Sequence, residues 1–248
     1  MTEKLWFRRF SLEGPVGRRL VCFPHAGGAA TYFAPVARAL VPDIDVLAVQ
    51  YPGRQDRWGE PCIDDIGTLA DRIHAMMTAW GPQPLTLFGH SMGAILAYEV
   101  ARRLRAEHPD QQLHVFASGR RAPHRLRSET VHTRDDAGII AEMRALGGTD
   151  AALLSNPEVL AMILPALRSD YQAIETYRWV PGGPPPCPIT VLTGDRDPRT
   201  TIEEARDWER HSREPFDVRI FPGGHFYLAE QAPAVLQVIK THFTSAVR

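Results

Sequence analysis

The stretch LTLFGHSMGAILAYEVARRL (85–104) passes from strand to helix through one tight turn. Its first five residues read as a buried strand. From Ala94 onward the pattern is helical, with small residues at Ala94, Ala97 and Ala101 that let a helix approach a sheet closely. Between the two lies Gly89-His90-Ser91-Met92-Gly93, a G-x-S-x-G sequence in the strand–turn–helix context that a nucleophile elbow requires. A turn this sharp needs small residues on both sides of the serine. It lifts the Ser91 hydroxyl out at the C-terminal edge of a sheet, beside a helix N-terminus that favours negative charge.

Working outward, short β-rich runs at 19–23, 44–50, 85–89, 113–117, 189–193 and 218–221 alternate with helical patterns, the signature of a parallel sheet with crossover helices. Several runs are almost continuously apolar, as strands buried on both faces are. Residues 4–10 are expected to add an antiparallel edge strand. Helices are expected at 65–80, 91–104 and 233–243, the first stopped by Gly81 and the last opened by Pro233. About 70 residues separate the strand ending near Ala117 from the one starting at Ile189, where a crossover needs only a dozen or more. That stretch carries helices of its own. Ile139, Ile140, Met143 and Leu146 form one amphipathic face stopped by Gly147. Asn156 and Pro157 open a longer helix whose apolar residues include Leu160, Ile163, Leu164, Leu167, Tyr171 and Ile174, with a kink expected at Pro165. The predicted organisation is one α/β core, residues 1–119 and 188–248, carrying a helical lid insertion at 120–187. A fixed helical layer with no gating role is the alternative.

Composition removes other classes. A 44% hydrophobic and 23% charged chain of 248 residues is an ordinary globular protein with one sizeable core. A net charge of −1 gives no global attraction to nucleic acid or to an anionic membrane. No run approaches the roughly 20 apolar residues of a membrane span, and the N-terminus has no signal-peptide pattern. Cys22, Cys62 and Cys187 are odd in number and far apart, so they read as reduced thiols of a cytoplasmic protein.

A serine hydroxyl needs a base, and the chain order Ser…Asp…His is the one an α/β hydrolase uses. His225 in PGGHF (222–226) follows one strand. Asp195 and Asp197 in GDRD (194–197) follow another. Both loops leave the same sheet edge as Ser91. Either aspartate can orient the histidine; Asp197, further out along its loop, is preferred. FPHAGG (23–28) follows the first buried strand, where this fold places its second oxyanion donor, so the backbone N–H groups of Ala26 and Met92 are the expected hole. Gly27 and Gly28 admit an acyl group close to the backbone. His25, Gly27 and Phe226 are the candidate substrate contacts, with a plain loop role as the alternative for His25. This constellation predicts a serine hydrolase that needs no metal and no soluble cofactor.

The phrases CFPHAGGAATYFAPVA (22–37), QYPGRQDR (50–57), LFGHSMGAILAYEVARRL (87–104), SGRRAP (118–123), VLTGDRDP (191–198) and FPGGHFYL (221–228) resemble the type II thioesterases that accompany modular polyketide synthases and nonribosomal peptide synthetases. The resemblance covers most of the chain and is weakest at 127–180. It implies an α/β-hydrolase fold with a helical lid. It also implies a Ser91–Asp197–His225 triad and hydrolysis of acyl groups from the phosphopantetheine arm of acyl or peptidyl carrier proteins. Such an enzyme clears stalled or misprimed units, and a monomer is expected. Within the segment after 113–117, Arg125 and Arg127 are then candidates for docking an acidic carrier, the alternative being solvated or internally paired arginines. A small-molecule esterase or lipase, an acyltransferase of the same fold and a non-catalytic binding module are the competing readings. Labelling of Ser91 by a fluorophosphonate separates the enzymes from the module.

Overall fold

The computed structural model describes residues 3–10, 18–148 and 153–245. Seven strands form one sheet: β1 (Phe7–Arg9), β2 (Arg19–Phe23), β3 (Asp45–Val49), β4 (Leu85–His90), β5 (Leu113–Ser118), β6 (Pro188–Gly194) and β7 (Arg213–Phe221). Their spatial order is β1-β3-β2-β4-β5-β6-β7. Only β1 runs antiparallel, against β3; every other pairing is parallel. The chain carries α1 (Glu3–Trp6), α2 (Ala34–Leu40), α3 (Ile66–Met77), α4 (Met92–Glu107), α5 (Asp136–Leu146), α6 (Pro157–Thr176), α7 (Ile202–Arg206), α8 (Tyr227–Glu230) and α9 (Ala232–Ser245). This is the α/β-hydrolase architecture.

Strand side chains alternate between two cores because successive residues point to opposite faces. Val21, Phe23, Leu47, Val49, Leu87, Val115 and Val191 meet the buried residues of α3 and α4. Leu20, Cys22, Val46, Ala48, Phe88, Phe116 and Leu192 meet α2 and α9. The small face of α4 is buried at Ala94, Ala97 and Ala101. Asp65 caps α3 by accepting the Thr68 N–H at 2.6 Å, and a short 3-10 turn, Thr78–Trp80, carries the chain on to Gly81.

Two sequence expectations change at the edges of the sheet. The strand foreseen at 4–10 is shortened to Phe7–Arg9, because the preceding residues wind into α1 and sink Trp6 under the Arg57 guanidinium, 4.3 Å from the ring centroid. The strand foreseen at 218–221 starts five residues earlier, at Arg213. As an edge strand it pairs, among the described residues, with β6 alone and keeps polar residues and a proline, so its first half has no apolar run to betray it.

The long connection between β5 and β6 contains α5 and α6. Asn156 caps α6 through its side chain, with Pro157 in the first turn, and the helix runs on past Pro165 to Thr176. Gly147 ends α5 at φ 72°, and residues 149–152 of the segment expected as lid lie outside the described residues. Val131, Ile139, Leu164 and Leu167 make a small core of their own, packed with Ala26 from the loop after β2. Glu175 accepts the Val131 and His132 backbone N–H groups at 2.9 and 3.1 Å and so caps the turn at Val131–Thr133. Among the described residues, no helix is long and apolar enough to cross a membrane.

Candidate active site

Ser91 sits between β4 and α4 with φ 56° and ψ −118°, a conformation that L residues adopt only under constraint. The constraint is visible at its flanks. A Cβ on Gly89 would fall 2.0 Å from the Gly93 carbonyl oxygen, and one on Gly93 would fall 2.0 Å from that of Phe23. No other residue type fits either position, which is the physical content of the G-x-S-x-G pattern. The Ser91 N–H donates to the Ser118 carbonyl at 2.8 Å and holds the elbow against β5.

The loops after β6 and β7 bring two more residues to this point. His225 Nε2 lies 3.0 Å from Ser91 Oγ. Its Nδ1 lies 3.0 and 2.9 Å from Asp197 Oδ1 and Oδ2, and both residues are buried. With Nδ1–H donating to the carboxylate, Nε2 is left to accept the serine proton; the hydrogen-bond pattern assigns this tautomer. Asp197 is fixed in turn by the Arg199 N–H, 2.8 Å from Oδ1. Asp195 does something else. It is exposed, and its Oδ1 accepts the Gly223 N–H at 2.8 Å, stapling the β6 loop to the β7 loop.

Beneath His225 lies a stack of neutral rings. His90 is fully buried, its ring 5.1 Å from that of His225, and its Nδ1 meets Ser118 Oγ at 3.0 Å. Ser118 Oγ in turn meets Tyr227 Oη at 2.7 Å. The side chain of His90 therefore packs against the histidine of the site. His25 lies edge-on to Phe226 at 4.9 Å and to Tyr32 at 4.7 Å. Burial, helped by the charges of His225 and Arg54, lowers His25 to about 3. Burial likewise holds His90 well below the ordinary imidazole range, with His225 and His25 adding to it. His211, buried and next to His124, is lowered to about 4.

These depressed values set an acid limit on the fold. In the unfolded chain each imidazole takes a proton near pH 6.5, whereas in the fold it stays neutral to far lower pH. Stability is therefore complete above pH 6.5 and lost as pH falls below it, by up to about 1.4 kcal/mol per unit for each histidine. The urea midpoint is expected to be clearly lower at pH 5 than at pH 7.5. A midpoint that held steady or rose would mean that these rings are already charged in the native protein.

The cavity over Ser91 measures about 40 Å3 and is lined by His25, Ala26, His225 and Phe226 from the core, and by Tyr171, Ile174 and Leu146 from the connection above. At roughly 10–15 Å3 per water, it has room for about three small groups. Its charged lining is ordered. Glu129 pairs with Arg121 at 2.5 Å and with Arg199 at 2.9 Å. Arg199 also pairs with Glu142, which Arg134 approaches from its other oxygen. Burial would raise Glu129, but the Arg121 hydrogen bonds and the fields of Arg120, Arg121 and Arg199 outweigh it and hold Glu129 down to about 2. Arg120 is buried in the same lining and its side chain makes no hydrogen bond among the described residues. Burial, then repulsion from Arg121, lowers it to about 9, so it faces the cavity as a cation near neutral pH. A larger cavity of about 830 Å3 runs along α4 past Arg102, Tyr177 and Pro186 and shares no lining residue with this one. Neither Ser91 nor His225 lines it.

Of the residues singled out in the sequence, Ser91, His225, His25, Ala26 and Phe226 line the small cavity, with Asp197 behind His225. Gly27 is not among the residues lining it; it packs against α6, and Leu167 Cδ1 would lie 2.5 Å from a Cβ there. Met92 opens α4, and neither its N–H nor that of Ala26 is engaged by another group of the chain among the described residues. Arg125 and Arg127 lie apart, paired with Asp207 and Glu204 at 2.5 Å each. Arg54 and Asp170 had not been singled out, yet they form a buried pair at 2.6 Å beside the Ala26 loop. The signal was present for both: Arg54 lies inside QYPGRQDR, and Asp170 is a carboxylate in phase with the apolar face Ile163, Leu167 and Ile174.

The comparisons with known proteins agree with this architecture. A family model described as a thioesterase domain matches residues 18–243. The "Probable cadicidin biosynthesis thioesterase" of Streptomyces griseus is 50% identical over 94% of this chain, and the match spans 64% of that relative's length. "Thioesterase PikA5" of Streptomyces venezuelae is 44% identical over 96% of this chain and 85% of its own. Among solved structures, the type II thioesterase BorB from the borrelidin biosynthetic cluster superposes with a TM-score of 0.89 at 48% identity, covering 96% of this chain and 97% of that one. With sequence and fold matched along almost its full length, this chain belongs to the thioesterase family, among the type II thioesterases.

Proposed function

We propose that this protein hydrolyses acyl groups from the phosphopantetheine arm of acyl or peptidyl carrier proteins, freeing carriers that hold misprimed or stalled units. One observation carries the reading: the Ser91 hydroxyl 3.0 Å from His225 Nε2, with Asp197 behind the ring, in a chain of the thioesterase family. Ser91 Oγ attacks the thioester carbonyl as its proton passes to His225 Nε2. Asp197 holds the ring and stabilises the imidazolium. The oxyanion is received by the backbone N–H groups of Ala26 and Met92. Collapse expels the pantetheine sulfur, which takes the proton from His225 and leaves as the thiol. Water, deprotonated by His225, then attacks the acyl-Ser91 ester and releases the acid.

The residues around this centre support a short acyl unit and an arm that threads past the insertion. His25, Gly27 and Phe226 contact the acyl group, and the Arg120 guanidinium offers donors to carbonyl oxygens of the arm. A 40 Å3 cavity is too small for acyl group and arm together, so we assign residues 120–187 the part of a lid on the core 1–119 and 188–248. The protein acts as a cytoplasmic monomer on this reading, because its substrate is presented by a partner of the biosynthetic machinery.

The test is a rate comparison across acyl-carrier thioesters, the matching acyl-CoA esters and p-nitrophenyl esters. Carrier thioesters are expected to give the highest kcat/KM; if small esters lead by tenfold, the protein is an esterase. Arg125 and Arg127 are the arginines we place at the carrier face. Their pairing with Asp207 and Glu204 leaves a weak field, so Arg125→Glu with Arg127→Glu should raise KM for the carrier substrate only about 3- to 10-fold. Its effect on a p-nitrophenyl ester should be smaller. An equal loss on both substrates would mean that the change damaged the fold.

A further inference from the structure

The loop that carries Ala26 is held by a residue of α6. His25 to Gly28 form a turn closed by the Gly28 N–H on the His25 carbonyl at 2.9 Å, with Gly27 at φ 75°. In such a turn the central peptide, Ala26–Gly27, points its N–H outward and needs an acceptor. Asp170 supplies it: Oδ2 accepts the Gly27 N–H at 2.7 Å. The same carboxylate is gripped by both terminal nitrogens of Arg54, at 2.6 and 2.8 Å, and Arg54 also donates to the Gly28 carbonyl at 3.1 Å. The turn is therefore clamped on its N–H side by Asp170 and on its C=O side by Arg54. The two side chains are 1% and 8% exposed, so either charge left alone would be desolvated and unpaired.

We propose that Asp170 and Arg54 are positioning residues for the oxyanion hole, through which α6 sets the orientation of the Ala26 N–H. The inference rests on the assignment of that N–H to the hole. Fixing the Gly27 N–H fixes the plane of the peptide next to Ala26, and so the direction in which Ala26 aims its own donor. Because Asp170 rides on α6 and Arg54 on the loop after β3, the donor is aligned only while α6 is seated over the cavity. Acyl transfer is thereby tied to closure. A displaced α6 leaves Gly27 without its acceptor and Arg54 without its counter-ion, which returns the helix to its seat.

Two double variants separate this role from a structural one. Arg54→Met/Asp170→Asn and Arg54→Met/Asp170→Leu both remove the ion pair, but only the first keeps an oxygen for the Gly27 N–H. Active sites are titrated to completion with a fluorophosphonate, and turnover of an acyl thioester is expressed per labelled Ser91. The Asn variant is expected within about tenfold of wild type in kcat. The Leu variant should fall about 10²-fold further, the scale of losing one oxyanion donor, with KM changed less than threefold. Its affinity for a trifluoromethyl ketone, which forms a tetrahedral adduct, should drop in parallel. Equal kcat per labelled site in the two variants, or a loss confined to KM, overturns the proposal. A merely structural pair would lower the titratable fraction and Tm and leave kcat per site alone. If wild-type protein neither labels at Ser91 nor turns over thioester, the mechanism beneath the proposal has failed instead.

Discussion

Ser91→Ala is expected to abolish thioester hydrolysis, with a loss on the order of 10⁶ in turnover, while the protein stays folded. The loss is that large because, on the proposed mechanism, the serine forms the covalent intermediate, its hydroxyl being the group that meets His225 Nε2. Folding survives because, among the described residues, the hydroxyl makes one hydrogen bond, to His225, and the elbow is held by groups the substitution leaves in place. The Ser91 N–H still donates to Ser118, and Gly89 and Gly93 still permit the close backbone crossing. The measurements are steady-state hydrolysis, fluorophosphonate labelling and a thermal melt. A variant keeping a tenth of the wild-type rate would sink the acyl-serine mechanism.

The second large effect separates two aspartates that are two residues apart. Asp197→Asn should lower kcat about 10⁴-fold. The amide is nearly isosteric, but its NH2 turned towards His225 makes Nδ1 the acceptor and puts the ring proton on Nε2. The imidazole then donates to Ser91 and cannot take its proton. Asp195→Asn should cost less than tenfold, because the remaining amide oxygen can still accept the Gly223 N–H that the carboxylate holds. The contrast is informative because both residues follow β6 and both touch the β7 loop. Reversed losses would assign the orienting role to Asp195 and leave the buried Asp197–His225 contact without a catalytic part.

On the proposed reading, the small cavity and the Arg54–Asp170 clamp belong to the closed state of the enzyme. With α6 in its observed place, the space above Ser91 is about 40 Å3 and the loop bearing Ala26 is held from both sides. On the proposal that α6 closes over the site, closure would do two things at once: shield the acyl group from water and align a donor. An acyl unit too long to fit beneath α6 would hold the helix away and find the hole misaligned. Chain-length selection in this enzyme would then appear in kcat as well as in KM.

Much of the architecture was legible along the chain because its causes are local. Five of the strands show as apolar runs between turn residues, and α3, α4, α6 and α9 show as helical stripes, with side-chain caps at Asp65 and Asn156. The elbow was legible for the same reason: a backbone crossing that admits no Cβ writes glycine at both ends of the turn. What was not legible depends on groups that meet only when the sheet closes. The start of β7 is polar because an edge strand buries little, so only its pairing with β6 reveals it. The choice of Asp197 over Asp195 turns on which of two neighbouring loop carboxylates faces a ring 28 residues further on. Whether Arg125 and Arg127 are solvated or paired was open in the sequence; α7 and the turn after it bring Glu204 and Asp207 to them. Arg54 and Asp170 are 116 residues apart, and nothing local to either requires the other. Spacing and composition determine which segments are buried and where the chain turns sharply. Which charge meets which, and therefore which donors remain free for a substrate, is decided by tertiary closure, because a buried ion pair depends on distance and desolvation and leaves no period in the sequence.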